Sequence, residues 1–199
     1  MKTIEITTRT IGEWLEFDKK IAEKIIEKNR DINTDFNWYE GTIAEFVKDM
    51  EAKGLEIDAK NVNFSGFWSQ GDGASFMCNL SEKYIDSWIT ANKAEFPSLY
   101  EKYTSWNGIE GKIVKNSFGN HYSHAKTVNV ELTCYDDIGE EGGKEIENLQ
   151  NMIESALRGY MVLLYNTLEK EYYSLISDES IIDTLKANEY EFDIDGRIL

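Results

Sequence analysis

The chain has 199 residues, 41% hydrophobic and 13% aromatic, which fits a folded globular domain and excludes a disordered segment. Its 21 Lys and Arg against 37 Asp and Glu leave a net charge of −16, the wrong sign for gripping nucleic-acid phosphates or an anionic membrane surface. No apolar run approaches the roughly 18 residues of a membrane span, and the N-terminal MKTIEITTRTIGEW lacks an apolar signal core, so a cytoplasmic protein is expected.

Residues 1–11 alternate around Ile4 and Ile6 and predict a short strand. From Gly12 the period becomes helical. Trp14, Phe17, Ile21, Ile25 and Ile26 share a face, which predicts one helix over 14–29. A polar connection leads to a second helix over 38–53, with Tyr39, Ile43, Phe46, Val47 and Met50 inward and Gly54 as its stop.

The stretch 62–80, VNFSGFWSQGDGASFMCNL, is the organising element. Two aromatic-rich runs flank Gln70-Gly71-Asp72-Gly73, whose residues tolerate positive φ, and together they predict a β-hairpin with a tight centre. Ser81 is placed to cap a helix carrying Tyr84, Ile85, Trp88 and Ile89, ending near Phe96; Pro97 starts a further turn with Leu99, Tyr100 and Tyr103. Asn107-Gly108 and Gly119-Asn120 are turns, and 109–118 is a strand. Residues 122–135 predict a long strand with Val128, Val130, Leu132 and Cys134 on one face and polar residues on the other, so one face of the sheet is wet. An acidic, glycine-rich loop over 136–144 then precedes the clearest helix, 144–177. Ser177 caps a last helix, and EYEFDIDGRI ends as a short strand or arm.

The chemistry-bearing residues are few. The glycines around Asp72 would let a ligand approach the backbone, but no Lys-Ser/Thr follows them and a strand follows, so this is neither a phosphate-binding P-loop nor a dinucleotide fingerprint. His121 and His124 sit three apart, on opposite faces of a strand, which disfavours a shared metal; one of them could act alone as acid or base beside Tyr122. Cys78 and Cys134 read as buried thiols, with a cross-strand disulfide as the lesser alternative. The tail mimics half of a calcium loop. No G-x-S-x-G nucleophile elbow occurs. Trp68, Tyr84, Trp88, Tyr100, Tyr103 and Trp106 supply either core or a protein-binding surface. From Asp136 on there are 16 acids and 5 bases, a balance of −11.

FSGFWSQGDGASF resembles a motif of an uncharacterised family of phage-encoded proteins, some loosely labelled antitoxins of toxin–antitoxin stability systems. The first helices, the NHYSHAKTVNVEL strand start with Tyr122 and His124, and the segment from LYNTLEKEYYSL to the end are similar to that family too. After Phe76 the chain departs from the pattern, running Met77-Cys78-Asn79. The resemblance implies a phage origin.

The expected architecture is a single α+β domain over 1–199: N-terminal helices in 1–60, an antiparallel sheet of about four strands with an inserted helix in 61–135, and C-terminal helices and tail in 144–199. Helices pack on one face of the sheet, and one of them is long. The expected function is non-enzymatic, with no cofactor and no metal. It is that of an acidic phage accessory protein that binds and modulates a host or phage protein, such as a defence or nucleic-acid enzyme, without contacting nucleic acid or membrane. Trp68, Gln70, Asp72, Tyr122 and His124 are the candidate interaction or ligand residues. Two alternatives are a small-ligand-binding or hydrolytic protein using Gln70, Asp72, Tyr122 and His124, and a true antitoxin.

Overall fold

The computed structural model describes residues 7–103, 108–116, 122–135 and 137–199. Ile4, Ile6, Trp106, Asn107, the expected strand end and turn over 117–120, His121 and Asp136 lie outside them. The fold is α+β, with seven helices and small antiparallel sheets among the described residues. The chain divides into two compact units: Met1–Glu40 with Glu169–Leu199, and Gly41–Leu168.

In the first unit, β1 (Arg9–Thr10) pairs antiparallel with β7 (Glu191–Phe192). The helix expected over 14–29 is two helices, α1 (Ile11–Phe17) and α2 (Lys19–Lys28). Two local caps cause the division. Thr10 and Glu13 form a capping box that starts α1 early, and Asp18, in extended backbone, ends α1 and caps α2 by accepting the Lys20 N–H. Phe17 therefore leaves the apolar face and is exposed, under the Arg9 guanidinium at 3.9 Å. Ile11, Trp14, Ala22, Ile25 and Ile26 form a core with Phe192 and with Ile181 and Leu185 of α7 (Asp178–Ala187). Buried Asn33 ties this unit together. Its amide donates to the Leu175 carbonyl and the Ser180 hydroxyl, each at 3.0 Å, and its Oδ1 accepts from Thr184 at 2.7 Å. In the tail, the Asp193 carboxylate accepts from the Asp195 and Arg197 N–H groups, and Asp195 pairs with Lys24. The half calcium loop is thus a carboxylate-capped turn.

The second unit begins with α3 (Glu40–Glu51), which buries Ile43, Phe46 and Met50 and is followed by Gly54 at φ +85°, a left-handed stop that suits glycine. Then come β2 (Val62–Ser65), β3 (Gly73–Phe76), β4 (Asn79–Leu80), α4 (Glu82–Ala91), α5 (Pro97–Tyr103), β5 (Ile109–Lys115), β6 (Val128–Cys134) and α6 (Gly139–Leu175). α4 stops before Phe96 because the Asn92 side chain takes the Trp88 carbonyl. α6 starts five residues earlier than the expected 144, so most of the acidic, glycine-rich stretch is helical.

Strands β2–β3 form one ladder and β4–β5–β6 another. The run from Gly73 to Leu80 serves both. Its first half faces β2 and its second half β5, and the Met77 N–H to Asn61 carbonyl bond (3.3 Å) and the Ile113 N–H to Cys78 carbonyl bond (2.9 Å) span the junction. Four extended runs therefore lie in the order β2, β3/β4, β5, β6. One face buries Ile109, Ile113, Val128 and Val130; the other exposes Glu110, Lys112, Asn129, Glu131 and Thr133. Cys78 aligns with Ile113 and Cys134 with Ile109, on opposite sides of β5, so no disulfide joins them, which corrects the disulfide alternative. Burial pushes the Cys78 thiol up to about 11.

Candidate functional site

The candidate site is built from the loop 66–72 and the segment 122–127. The hairpin is real, but its centre is not the tight turn expected at 70–73. β2 ends at Ser65 and Gly73 already belongs to β3, which leaves a seven-residue loop, 66–72. The loop has its own anchors. Phe67 turns inward and is buried against Tyr165 of α6, ring centres 5.6 Å apart, and stacks beside Phe64 at 6.1 Å. The Asp72 carboxylate turns back across the loop to accept the Ser69 N–H at 2.7 Å and the Trp68 N–H at 2.9 Å. Those two bonds hold its carboxyl below the usual carboxylate range. Gly66, at φ +23°, leaves room for this carboxylate, since a Cβ there would stand 2.7 Å from Oδ2.

The second segment is not the continuous strand expected over 122–135. Residues 125–127 form a 3-10 turn before β6. His124 causes it. Its Nδ1 accepts the Lys126 N–H at 3.0 Å, its own N–H donates to the Thr127 hydroxyl, and that hydroxyl donates on to the His124 carbonyl at 2.7 Å. Asn116 is tied to the same turn, donating from its N–H to the Thr127 carbonyl at 2.9 Å and from its side-chain amide to the Lys126 carbonyl at 2.8 Å.

The two segments meet through glycines. A Cβ on Gly71 would stand 2.9 Å from the Tyr122 ring; one on Gly73 would stand 2.7 Å from the His124 ring and 3.0 Å from its Cα. The hairpin glycines are seats for these two rings, a role invisible without the fold. Trp68 is 71% exposed and Tyr122 54% exposed, with Gln70 exposed between them in sequence. Trp68, Gln70, Asp72, Tyr122 and His124 are therefore brought to one region. Their chemistry differs: Asp72 Oδ2 and His124 Nδ1 are engaged by backbone N–H groups, while the two large aromatics face solvent. Of the other candidate aromatics, Tyr84 is buried, and burial pushes its phenol up to about 12. Among the described residues no group of three His, Cys, Asp or Glu is arranged around a metal, and no helix is long and apolar enough to cross a membrane.

Residues 38–178, well over half of the chain, match the model of a domain of unknown function, DUF8835. The chain belongs to the DUF8835 family. The matched segment holds both halves of the candidate site and ends just past α6. No curated protein and no solved structure matches this DUF8835 chain.

Proposed function

We propose that this DUF8835 protein is a binding protein, a phage accessory factor of the host cytoplasm that engages and modulates a host protein through Trp68, Gln70 and Tyr122. One observation carries the reading: two large aromatics stand exposed beside anchored groups, Trp68 with its N–H held by Asp72 and Tyr122 with its ring seated against Gly71. Exposed Trp and Tyr on a pre-ordered surface are the side chains that dominate protein interfaces, because little conformational freedom remains to be lost on binding. The −16 charge favours a basic partner and a salt-sensitive encounter. The phage origin rests on the resemblance of the hairpin and tail, and the antitoxin alternative rests on that resemblance alone.

The ligand-binding or hydrolytic alternative draws on the meeting of Gly73 with His124. It would act through His124 Nε2, since Asp72 Oδ2 and His124 Nδ1 are engaged by backbone N–H groups.

The test is affinity capture from bacterial lysate, with the wild-type chain compared to Trp68→Ser/Tyr122→Ser. A protein retained by the wild type and lost by the folded double variant supports the reading. Identical capture by both contradicts it. The antitoxin alternative predicts instead that deleting the gene releases the toxicity of a neighbouring gene product.

A further inference from the structure

The wet face of β4–β5–β6 carries a groove of about 370 Å³ whose lining includes Asn79, Glu110, Lys112, Glu131, Thr133 and Tyr135. The strand register builds it. Asn79, Lys112 and Glu131 stand side by side across three strands, and Glu110 stands beside Thr133 in the next row. The charges are unequal. Lys112 pairs with Glu131 at 3.1 Å, which accounts for the cation. Glu110 has no cation among the described residues; it accepts the Tyr135 hydroxyl at 2.8 Å. That bond fixes the Tyr135 ring beside a carboxylate while the ring remains 67% exposed.

An uncompensated carboxylate next to a fixed, open aromatic ring is suited to a planar cation. A guanidinium can lie on the ring and share its N–H groups with the carboxylate, whereas a neutral ligand would leave the carboxylate charge unanswered. A net charge of −16 draws basic segments toward such a groove. We propose that this groove is the docking site for an arginine side chain on a basic segment of a protein partner. The inference deepens the partner-binding reading and rests on it for the kind of ligand, but it uses a different surface.

The experiment titrates the full-length, isotope-labelled chain with a short alternating serine–arginine peptide, and separately with the same peptide carrying citrulline, while backbone NMR shifts are followed. The arginine peptide is expected to move residues 110–112 and 131–135 and the citrulline peptide to leave them in place. Glu110→Gln and Tyr135→Ala are each expected to weaken binding about fivefold, the scale of one exposed ion pair or cation–π contact. Glu147→Gln, which removes one exposed acid from α6, is expected to bind as the wild type does. Equal affinity in Glu110→Gln, or shifts spread over the acids of α6 and α7 instead of the groove, would overturn the inference. Trp68→Ser reports separately: peptide binding retained there supports a groove distinct from the loop surface. Failure of the peptide in wild type sinks the groove and leaves lysate capture through Trp68 standing.

Discussion

The Glu154 carboxylate of α6 accepts the Val130 N–H of β6 at 2.9 Å. It is the middle of three such contacts, four residues apart on one face of the helix. Gln150 Oε1 accepts the Leu132 N–H at 3.1 Å, and Arg158 donates to the Val128 carbonyl at 3.0 Å. The row answers the outer edge of β6, which would otherwise offer free backbone groups to another chain. Glu154 also pairs with Arg158 at 3.0 Å.

Glu154→Ala is therefore expected to cost about 1–2 kcal/mol by leaving a part-buried donor unpaired. It is also expected to raise self-association at high concentration. Glu154→Gln keeps an acceptor and is expected to lose less. Urea denaturation and light scattering on the two variants check this. Equal stability of wild type and Glu154→Ala would contradict the role given to the row.

Asp72 gives the loop a pH dependence of known sign. Its folded-state pKa is lowered, by the Ser69 N–H first and the Trp68 N–H second, so its contribution is full above the ordinary aspartate value. It is lost as pH falls through the lower folded value. Asp72→Ala is expected to be about 1 kcal/mol less stable than wild type at neutral pH, with the difference vanishing in strong acid. Paired denaturation curves across that acid range measure it, and a difference that grows on acidification would refute it.

Gly73→Ala tests the seat of His124. The added methyl meets backbone as well as ring, so the neighbour cannot simply rotate away, and a loss of about 1–3 kcal/mol is expected. Gly71→Ala meets only the Tyr122 ring, which can swing outward. It is expected to leave thermal stability nearly unchanged while weakening partner capture.

In the first unit, Asn33→Ala removes three hydrogen bonds at a buried position and strands the Thr184 hydroxyl. A loss of about 2–3 kcal/mol is expected by chemical denaturation. A loss no larger than that of an exposed substitution would mean water replaces the amide.

Sequence alone made some of this legible, and the boundary follows physical range. The Ser81 and Ser177 caps, the Gly54 stop and the long row through Leu149, Ile153, Leu157, Leu164 and Leu168 are local patterns, and they appear where spacing places them. The clean alternation of 128–134 likewise foretells a sheet face buried on one side. What escaped depends on contacts distant in sequence or on competing caps. Asp18 looks like any surface residue of a helix until the Thr10–Glu13 box moves the start of α1. His124 looks like a strand residue until its Nδ1 takes the Lys126 N–H. The tight turn at 70–73 misplaces Phe67, because its burial against Tyr165 spans nearly a hundred residues. The seating of Tyr122 on Gly71 and the register that joins Glu110 to Tyr135 have no local signature.

The central claim is that the exposed aromatics of loops 66–72 and 122–127 form a partner-binding surface. Hydrogen–deuterium exchange tests it most directly, on the chain alone and in complex with the protein that the wild type captures and the Trp68→Ser/Tyr122→Ser variant does not. The account predicts slowed exchange on binding in 66–72 and 122–127. Protection confined to other segments, with both loops unchanged, would contradict it.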